Sequence, residues 1–193
     1  MKKKPGARNR ILDKATSLFF QRGYSEVGIN EIIEESETAK ATFYHHFPSK
    51  QALCEAWLSE VHDRSEGSRE DILASTVDPV AKVRGYFEAL RHFLDASRFR
   101  GCPYTNTAAV CSGEDQEKII QLVEDHKEGI RDFFHQLATQ VTPAPERSRK
   151  LGDTLFLLYS GATTEAQNLR SMWPVQAATD AALELCELER RAS

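Results

Sequence analysis

The sequence predicts an all-α protein of about nine helices, with a small three-helix N-terminal domain ahead of a larger helical one. Three observations lead there. Apolar residues recur at i, i+3 and i+4 spacing along nearly the whole chain. The period-two alternation of a half-buried strand is absent. Gly and Pro fall between the periodic segments rather than inside them.

Taken in order, Ile11, Leu12, Ala15, Leu18 and Phe19 form the stripe of a first helix, closed by Gly23, the usual residue just past a helix end. Ile29, Ile32 and Ile33 mark a short second helix with Gly28 at its start. A third covers about residues 39–46, with Phe43 and Phe47 pointing inward one turn apart. Ser49 caps a fourth that carries Leu53, Trp57, Leu58 and Val61, followed by a polar stretch around Ser65 to Glu70. Asp78-Pro79 is a helix start, a capping carboxylate followed by proline in the first turn, and Val80, Val83, Phe87, Leu90 and Leu94 follow it. A break at Arg98 to Pro103 leads into a short helix to Val110, and Ser112 is placed to cap a long one ending before Thr142-Pro-Ala-Pro145. Two last helices cover about 146–170 and 174–190. The domains expected from this pattern are residues 1–50 and 51–193.

Composition narrows the function. The chain of 193 residues is 40% hydrophobic, enough for a proper core. It holds no run of 18 apolar residues to span a membrane. The basic start Met-Lys-Lys-Lys-Pro-Gly has no apolar stretch behind it, so a signal peptide is not expected. Four scattered cysteines without a Cys-x-x-Cys pair read as reduced thiols, and the expected compartment is the cytoplasm. The net charge of −4 hides an asymmetry. Residues 1–50 carry nine Lys/Arg against six Asp/Glu, while the rest carries 16 against 23. A cationic head on an acidic body suits a polyanion partner.

The third helix is too polar to be core. With Phe43 and Phe47 turned inward, Lys40, Ala41, Thr42, Tyr44 and His46 are left for an outer face that fits a DNA major groove. Lys40 and Thr42 can donate to bases or phosphates, Tyr44 to the backbone, and Lys50 in the next helix to a phosphate. Asn30 is a further reader, since amide side chains suit adenine edges.

These same segments (Ile11–Phe19, Arg22-Gly23-Tyr24, Ile29–Ile33, Lys40-Ala-Thr-Phe-Tyr-His-His-Phe47 and Ser49-Lys-Gln-Ala-Leu53) resemble the DNA-binding domain of TetR-type repressors over about residues 8–58. The resemblance implies a homodimeric regulator on a palindromic double-stranded DNA operator, released by a small-molecule effector bound in the larger domain. Phe99 to Pro103 and Gly161 to Gln167 also resemble stretches of one subset of such regulators. Three positions depart from the pattern. Glu37 stands where the inter-helix turn usually has Gly, so a left-handed residue there would be strained by roughly 1 kcal/mol. Ala39 replaces a common capping Ser, leaving Thr38 to cap. Gly28 replaces a phosphate-binding Ser or Thr.

In the larger domain Cys102, Tyr104, Asn106, His126, Phe133, Tyr159 and Gln167 are the candidate effector-binding residues, polar or aromatic groups in otherwise apolar faces. Each also reads as a core residue with its partners satisfied. Cys102 precedes the Pro103 helix start, where helix dipole and free amides favour a thiolate; the alternative function is therefore a thiol-based sensor of oxidants or electrophiles with weak DNA binding. The small residues Gly161, Ala162, Ala166, Ala177, Ala178 and Ala181 suit close helix packing across a dimer or within one chain. Neither a metal site nor a cofactor is expected. Adjacent His45 and His46 diverge on a helix, His126 and His135 fall on opposite faces, and no catalytic triad, carboxylate pair or phosphate loop appears.

Overall fold

The computed structural model describes residues 5–111 and 116–192. Among these, nine helices are found and no strand: α1 (Ala7–Arg22), α2 (Ile29–Glu35), α3 (Lys40–His46), α4 (Lys50–Ala74), α5 (Pro79–Ala96), α6 (Pro103–Val110), α7 (Gln116–Val141), α8 (Pro145–Leu169) and α9 (Trp173–Arg191). The chain divides into two compact units. The first holds residues 1–64 and 103–124, the second residues 65–102 and 125–193.

In the first unit the stripes meet as their spacing requires. Ile11, Leu12, Ala15 and Phe19 of α1, Ile32 of α2, Phe43 of α3, Phe47, and Leu53, Trp57 and Leu58 of α4 form one buried core. Phe19 lies 5.1 Å from Trp57 and 5.7 Å from Tyr24, ring centre to ring centre. Ser49 caps α4, its hydroxyl accepting from the Ala52 amide at 3.0 Å. The expected cap of α3 by Thr38 does not form. The N-cap is Ala39, and the Thr38 hydroxyl pairs with that of Ser36 at 2.9 Å instead. Proposed caps at Ser112 fall outside the described residues.

The fourth helix does not stop at the polar stretch. It runs on to Ala74, because residues 62–71 are helix formers or neutral and contain no proline; Gly67 costs about 1 kcal/mol against alanine and does not break it.

The second unit is a bundle of α5, α8, α9 and the later parts of α4 and α7 around Val83, Phe87, Leu90, Leu94, Phe133, Phe134, Leu137, Leu155, Ala166, Ala182 and Cys186. Asp78 caps α5, accepting from the amides of Val80 at 3.0 Å and Ala81 at 3.2 Å, with Pro79 in the first turn. Helices α7 and α8 touch at Gly152, where a Cβ would stand 2.8 Å from the His135 Cα. Of the small residues on the last two helices, Ala162, Ala166 and Ala178 are buried within the chain, while Gly161 and Ala177 are exposed.

Candidate nucleic-acid interface

The geometry begins in the turn between α2 and α3. Glu37 has φ 50°, the left-handed conformation for which glycine is usual. Its amide donates to Glu34 O at 3.0 Å and the Thr38 amide to Ile33 O at 3.2 Å. This pair of bonds is the Schellman closure of a helix, with Glu37 paying the steric cost of the missing glycine. Arg10 holds the turn from outside. Its guanidinium donates to Ser36 O at 3.2 Å, to Glu37 O at 3.4 Å and to Pro5 O at 2.9 Å. A cation on the last carbonyls of α2 is also favoured by the helix dipole.

The turn sets α3 on its base. Phe43 is fully buried and Phe47 is 3% exposed, their ring centres 6.2 Å apart. The Arg8 guanidinium covers the Phe47 ring at 5.4 Å. Rigid anchoring on one side leaves the other outward. Lys40, Ala41 and Tyr44 are exposed, Tyr44 at 42% of its surface, and Thr42 and His46 are half-buried at the edges of that face. His45, not singled out from the sequence, is also exposed and stacks edge-on with His46, ring centres 5.0 Å apart. Asn30 is exposed in the first turn of α2.

Lys50 behaves differently from a free phosphate contact. Its ammonium sits 4.4 Å over the Tyr24 ring and donates to Ser25 O at 3.5 Å, tying α4 to the loop before α2. Burial pulls its pKa below the usual lysine range, while Cys54, Cys111 and Glu26 push the other way.

Electrostatics sharpen this face by using up charge elsewhere. Arg22 pairs with Glu31 and donates to Glu26 O at 2.8 Å, and Lys14 pairs with Glu35 at 3.4 Å. Two of the three acids of α2, Glu31 and Glu35, are thereby answered by α1. Lys40 enters no ion pair among the described residues and is left on the outward face.

The candidate effector residues divide between the units. Tyr104 and Asn106 lie in the first. Tyr104 is fully buried and donates its hydroxyl to Leu58 O at 2.7 Å, a satisfied core phenol. Asn106 is half-buried. The second unit holds Cys102, His126, Phe133, Tyr159 and Gln167. Phe133 packs on Tyr86 at 4.5 Å, and Tyr159 stacks on Tyr86 at 5.0 Å. Burial pushes both phenols above the ordinary tyrosine pKa, Tyr159 furthest. His126 is buried in α7. Gln167 presses on Gly101, where an added Cβ would meet its Oε1 at 1.9 Å. Cys102 is half-buried at the end of a loop in which Arg98, Phe99 and Gly101 all have positive φ, 52°, 60° and 70°.

Sequence reasoning did not single out Arg69. Arg69 is 3% exposed. The signal was present: Leu58, Val61, Ser65, Arg69 and Ile72 continue one helical stripe through the polar stretch. Among the described residues no group of His, Cys, Asp and Glu is placed to hold a metal, and no helix is long and apolar enough to cross a membrane.

Comparison with known proteins agrees with this geometry. The family model of bacterial regulatory proteins of the tetR family matches residues 11–57, from the core of α1 into α4. The HTH-type transcriptional repressor DhaR of a Mycobacterium species is 27% identical over 65% of this chain, which spans 63% of that relative's length. The HTH-type transcriptional regulator LmrA of Bacillus subtilis is 32% identical over 68% of this chain and 71% of its own. Among solved structures, a TetR transcriptional regulator from Legionella pneumophila superposes with a TM-score of 0.77 over 94% of this chain and 97% of that one at 20% identity, a likeness of fold. With the head matching the family model and LmrA matching across two thirds of both chains, this chain belongs to the tetR family of bacterial regulatory proteins.

Proposed function

We propose that this protein is a homodimeric transcriptional repressor that binds a palindromic DNA operator and is released by a small molecule held in the second unit. One observation carries the reading: the outward face of α3, with Lys40, Ala41 and Tyr44 exposed, stands on two buried phenylalanines and on a turn clamped by Arg10. A rigid helix with a free basic and aromatic face fits a major groove. Asn30, Thr42 and His46 stand beside it, and Lys50 meets a phosphate by letting go of Ser25. The working compartment is the cytoplasm, where the operator is.

A second copy is the partner of α8 and α9. They form a groove of about 320 Å³ lined by Leu157, Gly161, Trp173, Pro174 and Ala177 among others, and Leu157 and Trp173 are 66% and 61% exposed. Large apolar side chains beside exposed Gly and Ala make a self-complementary surface. Two heads related by a two-fold axis then read half-sites about 34–36 Å apart. An effector acts by favouring a dimer whose heads no longer match that spacing, and a coupling of about 1–3 kcal/mol is sufficient.

A gel-shift titration with the duplex upstream of the gene tests this reading. Specific binding lost on Lys40→Ala is expected; binding that ignores the α3 face contradicts it. The competing reading, a thiol sensor, uses Cys102 on its left-handed loop. It requires Cys102 to alkylate with iodoacetamide faster than buried Cys54, whose thiol burial raises well above the usual range.

A further inference from the structure

Among the described residues Arg69 is a buried cation without a counterion. It lies 3% exposed on the part of α4 that belongs to the second unit. Its guanidinium donates to Ser65 Oγ at 2.6 Å, and its positive charge acts on the Tyr86 hydroxyl. One nitrogen rests on the α7 backbone at Gly129, where a Cβ would stand 3.2 Å away. No ion pair among the described residues includes it.

The contrast with Lys82, the other buried cation of this unit, is informative. Lys82 is 6% exposed and its ammonium donates to Leu73 O and to Gln140 Oε1, both at 2.9 Å. A lysine has three N–H donors and two are answered by carbonyl oxygens; an arginine has five, and the hydrogen bond shown for Arg69 goes to a hydroxyl, Ser65 Oγ. Hydroxyls carry protons of their own. Tyr159 stacks on Tyr86 with ring centres 5.0 Å apart, so Arg69 and the two phenols bring donors together with no carboxylate among them. Burying a guanidinium in this way is unfavourable unless a negative partner arrives.

The surroundings say what kind of partner. Phe133 lies 4.5 Å from Tyr86, and Phe134 5.7 Å from Tyr159, so the donors are set in aromatic walls.

We propose that the effector is a small organic anion with an apolar body, its carboxylate or equivalent group received by Arg69 and by the Tyr86 and Tyr159 hydroxyls. The inference rests on the regulator reading and names the chemistry of its ligand. The aromatic side chains hold the apolar body, and the acid group completes the hydrogen bonds that the protein leaves open.

The test is thermal unfolding and operator release of the full chain with apolar monocarboxylates from benzoate to decanoate, each paired with its neutral amide. An acid that raises the unfolding temperature and frees the duplex, with its amide inert, is expected. Arg69→Met should weaken that acid by about 30-fold or more while unfolding no lower than wild type without ligand, because an unpaired charge has been removed. Tyr159→Phe, which keeps shape and loses a donor, should weaken the same acid and leave unliganded stability nearly unchanged.

Equal responses to acid and amide, no response to any acid, or an acid response undiminished in both variants would overturn the proposal. So would Arg69→Met unfolding well below wild type, since the arginine would then be structural. Failure of the regulator reading looks different: no protein binds the duplex, yet acids still raise the unfolding temperature through Arg69.

Discussion

At the scale of single residues, two side chains decide how the head is presented. Glu37 holds a left-handed conformation at φ 50° and adds a negative charge beside the α3 face. Glu37→Gly removes both handicaps. It should raise stability by roughly 0.5–1 kcal/mol in denaturant unfolding and tighten DNA binding; a less stable variant would show that the carboxylate's own contacts matter more than the backbone. Arg10 binds two carbonyls of the same turn, Ser36 O and Glu37 O, and Pro5 O ahead of α1. Arg10→Ala should therefore weaken operator binding while Lys40, Ala41 and Tyr44 remain in place to be tested separately. Most of this was legible. The inward phenylalanines and the outward basic and aromatic groups follow from helical spacing, and the strain at Glu37 follows from its position in the turn. Two contacts were not legible. Lys50 folds back on Tyr24, and Arg69 is buried in no ion pair among the described residues, because a charged residue on a helix stripe reads as solvated until its neighbours in space are known.

At the scale of elements, capping and close approach explain the boundaries. The start of α5 was readable from Asp78-Pro79, since the cap bonds depend on neighbouring residues alone. The length of α4 was not, because polar residues with good helix propensity look like a linker when hydrophobic spacing is the guide. Helices α7 and α8 meet over Gly152, so Gly152→Ala would push a methyl against the His135 backbone. A loss of about 1–3 kcal/mol in denaturant unfolding is expected; an unchanged midpoint would mean the two helices separate freely. The same helices are joined where Asp153 accepts from Arg131 at 2.8 Å and His135 at 2.9 Å. Those bonds hold the Asp153 carboxyl below its ordinary pKa of 3.8. A depressed carboxylate stabilises the fold above its unfolded pKa and loses that contribution as pH falls through the folded one. Asp153→Asn should thus lower the unfolding midpoint at pH 7 and converge with wild type toward pH 3; a constant difference across that range would contradict the pairing.

At the scale of the whole molecule, the order and type of the helices could be read from the chain, whereas the way they gather into units could not. Residues 103–124 group with the head although they follow a helix of the second unit, a long-range relation that local periodicity does not encode. The exposed Leu157 and Trp173 beside Gly161 and Ala177 form the face of α8 and α9 proposed above for a second copy. Leu157→Glu should shift the sedimenting species toward monomer and reduce operator affinity together, and a dimer unchanged by it would place the contact elsewhere. Cationic contact with duplex DNA also has a thermodynamic mark, the release of condensed counterions. The decisive measurement is operator affinity across about 50 to 200 mM salt for wild type and Lys40→Ala. A steep fall with salt, with a slope shallower by roughly one unit in the variant, is expected; affinity indifferent to salt, or no protected duplex at the lowest salt, would contradict a DNA-reading α3.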